Sequence, residues 1–160
     1  MKKNPNKRLK INFHPDVPAA DIDLSRLRAL IVNICRQFKI SQAVITVRIV
    51  NDAGIMDIHQ QFLGQTATTD VISFDLSDEF EPGQTFELAV NAQMAARQAA
   101  RRGHSAEAEL ALYITHGLLH NLGFDDRTPS EARKMHAMED SILQQNGFGV
   151  VYSDDKQSNA

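Results

Sequence analysis

Two histidines four residues apart, His116 and His120, stand in the segment HGLLHNLGFDD that runs from His116 to Asp126. On a helix this spacing stacks both imidazoles on one face, one turn apart, so that a single metal ion can take a nitrogen from each. Gly123 follows three residues after the second histidine, and Asp126 three residues after that. Glycine adopts the left-handed conformation that ends a helix and reverses the chain, which brings Asp126 back toward the imidazoles as a third ligand. With 6 histidines in 160 residues, chance supplies such a pair in roughly one sequence in five; the added glycine and acidic residue lower the figure to roughly one in a thousand. Asp125 either caps the turn or accepts the second N–H of an imidazole.

These residues need elements to hold them. The run containing Leu110, Leu112, Ile114, Leu118 and Leu119 is apolar around most of a helix, which predicts a buried helix from about Ala106, capped by Ser105, to Leu122. Upstream, Leu9, Ile11 and Phe13 alternate as a strand closed by His14-Pro15-Asp16, and Asp23 caps a helix with Leu24, Leu27, Leu30, Ile31, Ile34, Cys35 and Phe38 on its buried stripe. Residues 43–50 read as a strand that buries Ala43, Ile45, Val47 and Ile49. Asn51 or Asp52 starts a helix with Ile55, Ile58 and Phe62 inward, ending at Gly64. Strands follow over 70–76 and around 86–90, joined by an acidic hairpin loop at 77–83. A helix over 91–102 ends at Gly103, and Thr128-Pro129-Ser130-Glu131 starts a last helix reaching about Gln145. The pattern reads as one α+β unit with four strands and five helices.

The length suits one domain, predicted over residues 1–152 with a disordered tail at 153–160. Hydrophobic content of 42% and charged content of 23% are ordinary for a globular chain and exclude collagenous or wholly disordered classes. Lys plus Arg is 17 against 20 Asp plus Glu, so nucleic acid must meet a local patch; Arg48, Arg97, Arg101, Arg102 and Arg127 are the candidates. The Arg97, Arg101 and Arg102 cluster also suits the C-terminal end of its helix dipole. The single cysteine, Cys35, reads as an inert core residue. With no secretory segment and no apolar run of roughly 20 residues, the expectation is a cytoplasmic protein without a membrane partner. His14, His59, His104 and His136 are placed at element ends or on the surface, where solvent satisfies them, and Met56, Met94, Met135 and Met138 as gap-filling core or interface residues.

The histidine spacing resembles that of metzincin peptidases, in which a glutamate after the first histidine is the general base. Gly117 stands there, which supports a metal while weakening proteolysis. Together with TDVISFD at Thr69 to Asp75 and the order of elements, HGLLHNLGFDD resembles the YbeY family of bacterial endoribonucleases over about residues 40–146. The chain matches the family pattern at His116, Gly117, Leu119, His120, Gly123 and Asp125, with Phe124 for a tyrosine. The resemblance implies that the strands form a small mixed four-stranded sheet flanked by about five helices. It implies one zinc ion per chain and cleavage of single-stranded RNA in maturation of small-subunit ribosomal RNA. It implies the small ribosomal subunit as a partner, and no DNA partner is expected.

The expected ligands are His116, His120 and Asp126; Asp125, Asp70 and Ser73 are the second-shell or groove candidates. The attacking group is a metal-bound water, and no side chain is identified as its base. The sequence departs from the family at Asp126, where histidine is usual, at Leu63 after Phe62, where arginine is common, at Phe86 for glycine and at Thr68 for proline. A carboxylate ligand leaves a zinc site with one unit of positive charge rather than two, which lowers its Lewis acidity and admits harder divalent metals. Two other classes stay open: a ribosome-assembly factor with a structural metal, and a zincin-like peptidase.

Overall fold

The computed structural model describes residues 8–18, 21–65, 67–149 and 151. The expected tail at 153–160 lies outside the described residues. The elements are β1 (Leu9–Pro15), α1 (Leu24–Gln37), β2 (Ala43–Val50), α2 (Asp52–Leu63), β3 (Val71–Asp75), β4 (Gln84–Asn91), α3 (Ala92–Arg102), α4 (Ala106–Asn121) and α5 (Pro129–Gln145). The strands form one mixed sheet in the order β1-β2-β4-β3. β1, β2 and β4 run parallel, and β3 pairs antiparallel with β4, from Val71 opposite Val90 to Asp75 opposite Phe86. This is the α+β arrangement expected from the pattern of apolar residues.

Local chemistry sets the boundaries. Asp23 accepts from the N–H groups of Ser25 and Arg26, Asn51 from Gly54, Ser105 from Ala108 and Thr128 from Glu131, so each cap satisfies a donor that its helix leaves open. Strand alternation then separates two apolar bodies. Ile11, Ile45, Val47, Phe86, Leu88 and Val90 join the buried stripes of α1, α4 and α5 in the main core, while Val50, Ile55 and Ile72 form a smaller cluster under α2. The Phe86 ring, at the position where the resemblance leads one to expect glycine, is 2% exposed and belongs to the core.

Phe62 does not turn inward as its spacing predicts; it is 66% exposed. Only Ile55 of α2 is fully buried, and the last turn of this short helix lies at the sheet edge, where the Phe62 ring leans on Phe74 with centroids 5.3 Å apart.

α4 sits directly on the sheet, and Gly117 is the reason it can. A methyl group at that position would stand 2.3 Å from Leu88 Cδ2 and 3.1 Å from Val71 Cγ2. The close approach places the turn bearing His116 and His120 beside β3. Asn91, wholly buried, fixes the start of that strand: its N–H donates to the Asp70 carbonyl at 2.9 Å and its amide donates to the Thr69 carbonyl at 3.2 Å.

Candidate metal centre

The C-terminal turn of α4 ends as the glycine predicts. Gly123 has φ of +98°, its N–H donates to the His120 carbonyl, and the Phe124 N–H donates to the Leu119 carbonyl at 3.0 Å. This paired closure reverses the chain, and Phe124 anchors the exit by packing edge-on to Phe38 at 5.8 Å. Asp126 is thereby returned to the histidine face.

His116 Nε2 and His120 Nε2 are 3.0 Å apart, and Asp126 Oδ2 lies 3.7 Å from each. Donors around a tetrahedral zinc ion at about 2.0–2.1 Å are separated by about 3.4 Å, so these three atoms fit the edges of one coordination polyhedron. They are the one group among the described residues that could hold a metal ion. Two nitrogens and a carboxylate oxygen are suitable donors for zinc, with a fourth position left for a water or substrate oxygen.

Glu139 on α5 completes the arrangement, and the sequence pattern does not reveal it. His116 Nδ1 donates to Glu139 Oε1 at 2.6 Å, which fixes the tautomer and leaves the Nε2 lone pair directed at the other donors. Glu139 is 1% exposed, and its second oxygen receives His136 Nδ1 at 3.3 Å. His136 is therefore no surface residue: an acidic side chain one helical turn away draws it inward. The available signal for His136 was its 3-residue spacing from Glu139 on a helix whose apolar stripe includes Met135, Ile142 and Leu143. Burial opposes a charge on His116, but the Glu139 hydrogen bond and the charges of Glu139, Asp70 and Asp126 outweigh it and raise its pKa. The field that favours an imidazolium also favours a cation between the donors.

The other expected residues divide. Asp125 serves the turn: its Oδ1 accepts from the Asp126 N–H at 2.8 Å and its Oδ2 lies 3.2 Å from Arg127 Nε. Asp70 accepts from the Val71 N–H at 2.8 Å and lines a cavity with His116. Ser73 faces α4 opposite Gly117. Among the arginines, Arg127 lies beside Asp125 and Arg102 lines the same cavity as His116, whereas Arg48 lines a groove with Phe62 and Phe74. Arg97 is held by Asp52 at 2.7 and 3.0 Å, and Arg102 by buried Glu109 at 3.0 Å, so helix-dipole compensation alone does not describe them. His104 is likewise not left to solvent, for its Nε2 is 2.5 Å from Glu109 Oε1.

Fold and donors together define an α+β protein whose buried helix carries a metal-binding type of triad. The family model described as Endoribonuclease YbeY matches residues 14–147, and the chain belongs to that family. Curated relatives named Endoribonuclease YbeY include one from Thermobifida fusca, 33% identical over 79% of this chain and 86% of its own length. Another, from Frankia alni, is 33% identical over 78% of this chain and 76% of its own length. The solution structure of TM1509 from Thermotoga maritima shares the fold with a TM-score of 0.58 and 24% identity, covering 86% of this chain and 90% of that one.

Proposed function

We propose that the chain is a zinc-dependent endoribonuclease, with residues 1–152 acting as one domain. It cuts single-stranded RNA during maturation of small-subunit ribosomal RNA and contacts the small subunit in the cytoplasm. The observation that carries the reading is the convergence of His116 Nε2, His120 Nε2 and Asp126 Oδ2, with His116 held from behind by Glu139. The names of the curated relatives support RNA as the substrate. Zinc, when bound, supplies a Lewis acid for a phosphoryl oxygen and activates a water.

The side chains supply the remainder. Glu139 keeps the proton on His116 Nδ1, so that Nε2 stays a donor atom. Arg127 is 86% exposed beside the turn and offers a cation to an approaching phosphodiester. Asp70, at the entrance to the edge strand, lines the cavity that shares His116, while Ser73 on that strand packs against α4 opposite Gly117. The bare Gly117 excludes the peptidase reading's glutamate base, because no side chain fits between α4 and Leu88.

A second reading, an assembly factor with a structural metal and little catalysis, draws on Leu63. This exposed apolar side chain stands beside Phe62, where the resemblance leads one to expect a phosphate-binding arginine.

The test measures metal per chain by mass spectrometry, on tag-free protein purified without chelator, beside His116→Ala and Asp126→Ala. About one zinc per chain, lost in both variants, is expected, together with cleavage of a single-stranded RNA that stops on chelation. Cleavage by clean protein that persists in chelator would refute the mechanism. Folded protein without metal would refute the site, and metal-loaded protein that binds small subunits without cutting RNA would establish the second reading.

A further inference from the structure

A cavity of about 140 Å³ opens between α3, α4 and α5 and shares His116 with the metal centre. That space is enough to admit one planar base. Its lining combines the apolar body of Met94 and the ring of Tyr113 with the polar groups of Asp70, Gln98, Arg102 and His136. Flat apolar walls with polar groups converging on them are what a base needs, because its faces are hydrophobic and its edges carry donors and acceptors.

Two of those polar groups have capacity to spare. Asp70 uses Oδ1 for the Val71 N–H and the Thr69 hydroxyl, while Oδ2 has no hydrogen bond to the described residues. The Gln98 amide, half-buried on α3, makes none either and offers both a donor and an acceptor. The N4 amino group of cytosine or the N3–H of uracil can donate to a carboxylate, and a ring carbonyl can accept from an amide N–H. His116 belongs to both the cavity and the donor group, so the two sites adjoin at that side chain.

We infer that the cavity is a pyrimidine subsite for a nucleotide flanking the scissile phosphate, with Asp70 and Gln98 reading the base edge. The inference rests on the endoribonuclease reading above, and its test reads binding rather than turnover. In the full chain as purified, labelled at methionine methyls and glutamine amides, nuclear magnetic resonance follows titration with cytidine, uridine and adenosine 5′-monophosphates and with ribose 5-phosphate. A pyrimidine nucleotide is expected to shift the Met94 methyl and the Gln98 amide saturably, with the purine at least about tenfold weaker and ribose 5-phosphate leaving both signals in place.

Gln98→Ala, and separately Met94→Phe to fill the space, are expected to weaken the pyrimidine nucleotide about tenfold with metal content and Tm unchanged. Equal binding of the purine, shifts reproduced by ribose 5-phosphate, silence at both signals, or variants that bind as well as wild type would each overturn the subsite. Base binding without RNA cleavage would leave the subsite and remove the endoribonuclease reading. Cleavage indifferent to the flanking base, with both signals silent, would do the reverse.

Discussion

At His116 one ring nitrogen is committed to Glu139 and the other to the candidate metal position, so the imidazole has no freedom of tautomer. Removing the charge of Glu139 while keeping its shape tests that arrangement. Glu139→Gln still offers an acceptor oxygen, but it loses the negative charge that makes His116 a stronger ligand. The expected fall in zinc affinity is about 10–100-fold, measured by competition with a chromophoric chelator. Unchanged affinity would mean that Glu139 only fills space. Asp126 is legible in the sequence through the Gly123 reversal, whereas Glu139 is not, because it comes from a different helix 23 residues from His116. Nothing in local spacing announces that contact.

The packing of α4 on the sheet depends on one missing side chain. Gly117→Ala would press a methyl against Leu88, which is fully buried and belongs to the central strand β4. Overpacking of this kind costs about 1–3 kcal/mol, and urea denaturation should show a lower midpoint with little change in slope. Because the same turn carries His116, the shift of α4 should also weaken zinc binding. A variant as stable as wild type would show that the sheet can yield at this contact. Most element boundaries were readable for a simple reason: caps such as Asp23, Asn51, Ser105 and Thr128 act over two or three residues. Phe62 was misread because its direction depends on how far α2 extends past the sheet, which helical spacing does not contain.

For the whole molecule, the main core can be probed through its one thiol. Burial pushes the Cys35 pKa up from 9.0 to about 11. The folded protein thus holds this proton where the unfolded chain releases it. The associated stability is fully present below pH 9 and is lost as the pH rises toward 11, a change on the order of 2 kcal/mol. Denaturation at pH 8 and pH 10.5 should show a larger loss for wild type than for Cys35→Ala, and Ellman's reagent should react with the native protein only at its unfolding rate. Rapid labelling of native protein would show that α1 opens locally. No helix among the described residues is long and apolar enough to cross a membrane.

Periodicity, caps and the HGLLHNLGFDD spacing by themselves determined the order of elements and the three converging donors, because each is a matter of neighbours within one or two helical turns, whereas the mixed sheet was implied by the family resemblance. Tertiary structure alone decided which side chains stand behind and beside those donors. Glu139, His136, Gln98 and Arg102 come from α5 and α3, and they surround His116 only when those helices close against α4. It also decided that Arg97 belongs to Asp52 and that His104 belongs to Glu109. Ion pairs across elements follow from docking geometry, and a linear pattern of residue types carries the charges without the distances between them.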